Sequence, residues 1–194
     1  TAGSGSNNVF IANLDSNGTY LNQMQTQTND NHDHLASLST DWIGNLFVSG
    51  LASNGINLDG AKLSCVDAVV GMLDPSLKHE WSKCYPNTTG AAIAADPTSG
   101  AGMTGHYTGT PTFGQGNLPN GSAFYLARFN SSGQSTASFG SGSTTNYYAI
   151  TVSAAYVTWP DFVVGGGCSS TITLPSGTLS CSWNGEAFIA RLQP

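Results

Sequence analysis

The chain has 194 residues, 39% of them apolar and including eight Phe, seven Tyr and four Trp, enough to bury the core of one domain or a short array of repeats. Only 8% are charged, and Lys and Glu are too scarce to coat amphipathic helices, so short strands joined by tight turns are expected. A net charge of −6 with five Lys and Arg in all disfavours nucleic acid and anionic membrane surfaces as partners, and no apolar run approaches the ~20 residues of a membrane span.

The opening Thr1-Ala2-Gly3-Ser4-Gly5-Ser6 has neither an initiator Met nor a signal peptide; it reads as a mature terminus left after processing, with an artificial boundary as the alternative. The apolar segment Val9–Asp15 follows, then a turn carrying the sequon Asn17-Gly18-Thr19. Next comes the densest polar cluster, Asn29-Asp30-Asn31-His32-Asp33-His34. On a strand His32 and His34 would share a face, and Asp30 and Asp33 could add oxygens, a set suited to Zn or Ca. A solvated loop is the plainer reading, and no other cofactor is expected.

Leu38–Asp41 and Leu46–Gly50 flank a short turn, as do Ala92–Asp96 and Ala101–Gly105. An Asp/Gly-punctuated turn between apolar runs is a hairpin signature. Asp41, Asp74 and Asp96 sit where Asp bonds its own backbone, which is favoured over a catalytic carboxylate pair. Further on, Ala149–Val152 and Phe162–Gly166 form a third such pair, with Tyr156–Pro160 in place of the short turn. No nucleophile elbow, zincin helix or Walker loop is present, and Glu80 and Glu186 are the only glutamates, so the chain is not read as an enzyme. His79 and His106 stand alone, the latter read as a packed strand residue. Trp42, Trp81, Trp159 and Trp183 could stack on sugars if exposed, although core packing is the commoner use.

Cys65, Cys84, Cys168 and Cys181 allow three pairings. Folding the chain back at Asp74–Leu77 brings Cys65 near Cys84, and a turn at Leu174–Gly177 brings Cys168 near Cys181, so two local hairpin disulfides are expected. A four-cysteine metal site is the rival, weakened by the lack of any C-x2-C spacing. Further sequons lie at Asn87, Asn120 and Asn130. Disulfides and sequons together point to an extracellular or cell-surface location.

One segment recurs four times: Val9–Asp15, Ala68–Asp74, Phe124–Asn130 and Ala187–Leu192. Aligned on Leu14, Leu73, Phe129 and Leu192, the copies are 59, 56 and 63 residues apart. Each is apolar on both alternating faces, which suits a strand sandwiched between two sheets. The units divide at about 8–65, 66–121 and 122–185, with a terminal strand at 186–194. The fold class is therefore all-β, with antiparallel four-stranded repeats in one domain.

The pairing of F-I-A-x-L-D-S-N-G (Phe10–Gly18) with N-L-F-V-S-G (Asn45–Gly50) resembles the SBBP-type β-propeller repeats of bacterial and archaeal surface proteins, over roughly residues 8–194. The resemblance implies blades whose Ala-rich hairpin is inner and whose F-I-A-x-L strand is outer. On that reading an outer pair at 9–26 precedes two complete blades at 34–86 and 90–142, then an inner pair at 147–168 and a lone outer strand at 186–192. Three blades fall below the roughly four to eight that close a ring. Self-assembly into a homo-oligomer or polymer by strand addition is therefore expected, with Phe188, Ile189 and Leu192 on the donated strand; an excised piece of a longer propeller and a compact monomer are the alternatives. The expected function is an extracellular structural subunit; a carbohydrate- or partner-binding module, with glycans as partner, is the alternative, and a secreted hydrolase the third.

Overall fold

The computed structural model describes residues 9–26, 33–60, 62–64, 66–96, 100–142, 155–156, 162–168, 171–175, 177–182 and 186–192. The fold is all-β, with every strand pair antiparallel. Strands β1 (Phe10–Leu14) and β2 (Tyr20–Gln25) form a two-stranded hairpin. Strands β3 (His34–Thr40), β4 (Leu46–Ala52), β5 (Asp67–Leu73) and β6 (His79–Tyr85) form a four-stranded meander in chain order. A second meander follows with β7 (Ala92–Ala95), β8 (Ala101–Gly109), β9 (Gly121–Phe129) and β10 (Ser135–Gly140). Then come β11 (Ala155–Tyr156), β12 (Phe162–Cys168), the small hairpin β13 (Thr171–Leu174) with β14 (Gly177–Ser180), and β15 (Glu186–Leu192). The last sheet has the order β11-β12-β15, so the β13–β14 hairpin is an insertion between its members. No helix among the described residues is long and apolar enough to cross a membrane.

A single turn design links β1 to β2, β3 to β4, β5 to β6 and β9 to β10. The N–H of Asp15, Asp41, Asp74 and Asn130 donates to the carbonyl four residues on, at 2.8–3.0 Å, and the fourth residue of each turn donates back to the carbonyl of the first. The first residue's Oδ1 accepts from the backbone N–H two and four residues later: Asn17 and Thr19, Ile43 and Asn45, Ser76 and Lys78, Ser132 and Gln134. The fourth position has positive φ, which explains Gly18, Gly44 and Gly133 there. Leu77 adopts φ 63° at the same place and is kept by its burial in the core. Asp96 acts alike, accepting from Gly100 N–H at 3.0 Å and also meeting Arg128 at 3.4 Å. These aspartates serve the backbone, as the sequence suggests. The two N–H groups on the Asp15 carboxylate, those of Thr19 first and Asn17 second, hold its pKa below the ordinary value.

The sheets stack face to face around three apolar clusters. Ile11 and Met24 of the first hairpin pack on Leu46, Val48, Val69 and Leu73. Phe47, Val70, Met72 and Trp81 of the first meander meet Met103, Tyr125 and Phe129 of the second. Phe124 and Leu126, on that meander's other side, meet Phe162, Val164, Phe188 and Leu192. Two cross-sheet bonds hold β7 to β3: Ile93 N–H and Ala95 N–H donate to Ser37 Oγ and Ser39 Oγ at 3.2 and 3.0 Å.

The third unit departs from expectation. The sequence places its inner strand at Ala149–Val152, which lies outside the described residues, and reads Tyr156–Pro160 as connection. Instead Ala155 and Tyr156 pair with Val163 and Phe162. The expected hairpin pairing of Cys168 with Cys181 is present, with Cα atoms 5.8 Å apart. Cys84 is also disulfide-bonded; its expected partner, Cys65, lies outside the described residues.

His106 is half-buried on β8 with Nε2 2.9 Å from Ser122 Oγ, and burial pushes its pKa below the ordinary imidazole value. A depressed folded-state pKa means the unfolded chain binds the proton more readily. The stability this group contributes is therefore present above about pH 6.5 and is lost as pH falls below it. The unfolding midpoint is expected to drop between pH 7 and pH 5, and His106→Gln to flatten that slope in thermal melts.

Candidate assembly surfaces

The four copies of the recurring strand are β1, β5, β9 and β15, and the alignment fixes which face of each looks which way. Leu73, Phe129 and Leu192 all point toward the preceding sheet, as do the residues two and four before them. Val70, Leu126 and their alternates point toward the following sheet. In β5 and β9 both faces are buried almost throughout, as the sequence pattern indicates.

In β1 and β15 the same pattern has a different outcome. Ile11 of β1 is buried against the following sheet, but Phe10 and Leu14, aligned with Tyr125 and Phe129, are 73% and 53% exposed. Tyr20, paired with Leu14 across the hairpin, is exposed with them. At the other end Phe188 and Leu192 are buried, whereas Ile189, aligned with the buried Val70 and Leu126, is 83% exposed. Ala187 and Arg191 lie on that outward face too, both exposed. Among the described residues two sheet faces are thus uncovered, one of each kind that mate at the internal junctions. Leu38 on β3 is also exposed beside the narrow first hairpin.

This arrangement revises the expectation for the terminal strand. Glu186–Leu192 is not held out for another subunit: it pairs within its own chain along all of β12, from Phe162↔Leu192 to Cys168↔Glu186. Phe188 and Leu192 are committed to the chain's own core, and of the three residues assigned to assembly only Ile189 faces outward.

The other candidates separate. Asp30 and His32 lie outside the described residues. Asp33 is buried, its Oδ1 accepting from Ser53 N–H at 2.6 Å, and His34 opens β3 with its side chain exposed. Among the described residues no group of three or more His, Cys, Asp or Glu is gathered as for a metal. His79 Nε2 lies 2.9 Å from Ser82 Oγ. Trp81 is a core residue, Trp42 is 78% exposed on the β3–β4 turn, and Trp159 and Trp183 lie outside the described residues. Asn17, Asn87 and Asn120 are exposed, whereas Asn130 spends its side chain on its own turn.

Sequence reasoning missed the loop between β8 and β9. Phe113 and Leu118 insert into the junction between the meanders, with the Phe113 ring 4.6 Å from Tyr85 and 4.7 Å from Tyr125. Burial here raises the Tyr85 phenol to about 12 and the Tyr125 phenol further. The available signal was an apolar pair inside a Gly/Pro-rich stretch. No known protein-family model matches the chain, and no curated protein matches it either.

Proposed function

We propose that the protein is a non-catalytic structural subunit of an extracellular assembly, built from β-propeller-type units like those of SBBP-type repeat proteins, and that it polymerises through its β-sheets into a filament or surface layer. One observation carries this reading: β1 and β15 each expose, on one face, apolar positions that the copies β5 and β9 bury. Exposed apolar faces of this kind mark interaction sites. Successive antiparallel meanders stacked face to face support the propeller-type arrangement. The disulfides suit an oxidising compartment, and the sparse charge on a Ser/Thr/Asn/Gly-rich surface suits a durable polymer.

Light scattering of the native protein over a rising concentration series, with negative-stain images of the same samples, tests this. Elongated polymers that grow with concentration are expected; a monodisperse monomer throughout would overturn the reading. The second reading, a carbohydrate-binding module, draws on the exposed Trp42 indole alone.

A further inference from the structure

The geometry points to the occupant of both uncovered faces: a second copy of this chain, docked head to tail, with the outward face of β15 and β12 of one copy lying on the outward face of β1 and β2 of the next. This inference rests on the polymer reading and specifies its contact. The template is internal. At the junction between the meanders, Val70 and Phe47 of the leading sheet share a cluster with Tyr125 and Phe129 of the trailing one. At the next junction, Leu126 and Phe124 share one with Phe188 and Leu192, the Phe124 and Phe188 rings 5.6 Å apart. Ile189 stands at the position of Val70 and Leu126, and Val163 at that of Phe47. Phe10 and Leu14 stand at the positions of Tyr125 and Phe129, or of Phe188 and Leu192. A new junction between copies therefore repeats the kind of contact the chain already makes twice within itself.

The two faces differ, so the contact is heterologous. Each copy leaves one face of each kind free, and growth continues until a ring closes or a filament extends. Stacking, rather than sheet merging, repeats the contact made at the internal junctions. The last sheet already has its copy of the repeated strand in β15 and the first has its own in β1, so fusing the two would duplicate one strand. The contact is apolar between copies that each carry −6, so salt that screens their mutual repulsion should favour it.

The experiment uses two full-length variants, Phe10→Asp and Ile189→Asp, both at exposed positions, with unfolding midpoints measured to confirm that each folds. Burying an unpaired carboxylate should weaken association by about a hundredfold or more. Each variant alone is expected to be monomeric at concentrations where the native protein polymerises. Mixed in equal amounts they should form a discrete heterodimer and stop, because one intact face of each kind remains. Leu14→Asp and Ala187→Asp form a second pair should either of the first misfold. If the variants polymerise like the native protein, the contact lies elsewhere and this inference fails while the polymer reading stands. If each variant dimerises alone and mixing adds nothing, the faces pair with themselves and the head-to-tail contact is wrong. A native protein that stays monomeric defeats the polymer reading itself, and this inference with it.

Discussion

Gly105→Ala is expected to destabilise the fold by about 3 kcal/mol or more, one of the largest effects of any single methyl group in this chain. Gly105 lies on β8 opposite Tyr125, and a Cβ there would overlap the carbonyl oxygen of Thr89. That carbonyl is fixed from two sides. The Thr89 N–H donates to His106 O at 2.8 Å, and the Tyr125 hydroxyl donates to Thr89 O at 2.9 Å from a fully buried ring. The methyl group must therefore move the backbone of the segment entering β7 and separate a buried phenol from its acceptor. Gly50 occupies the same place in the first meander, where a Cβ would strike His34 O and Leu35 Cα. For a chain of this size the midpoint should fall by about 6–12 °C. A change within about 2 °C would mean that the β7 approach is looser than described.

Trp81→Ala should cost about 3–5 kcal/mol. The indole joins three parts of the molecule: it stands between Phe47 and Phe129, with ring centroids at 6.3 and 6.2 Å, its N–H donates to Ser131 O at 2.9 Å, and Gly133 lies against its face. Truncation opens a cavity at the junction of the meanders and orphans the β9–β10 turn. Trp81→Phe retains most of the packing and loses the hydrogen bond, worth about 1 kcal/mol. Denaturant melts should therefore rank native above Trp81→Phe, and Trp81→Phe well above Trp81→Ala. Equal costs for the two variants would place the energy in the Ser131 bond rather than in packing.

Much of the fold is legible in local chemistry. The Asp or Asn opening each turn, with Gly or Leu three residues later, sets hairpins whose limits follow from backbone hydrogen bonding alone. The pairing of Cys168 with Cys181 follows from the turn between them. The apolar pattern of Ala68–Asp74 and Phe124–Asn130 correctly implies strands covered on both faces. The same pattern in Val9–Asp15 and Ala187–Leu192 implies it equally, and there it does not hold among the described residues. A strand's residues state what it can bury; whether a neighbouring sheet is present is a property of the whole stack. For that reason Ile189 and Phe188, adjacent and both apolar, take opposite roles in the candidate site. Phe113 escapes the pattern because it reaches the core from a loop, where no period exists to detect it.

A reconstruction of the native assembly by electron cryo-microscopy tests the central claim most directly. The expected map stacks the β15–β12 face of one subunit on the β1–β2 face of the next at the usual sheet separation of about 10 Å, with Ile189 buried between Phe10 and Leu14. A map in which subunits meet edge to edge and both faces remain in solvent would contradict it.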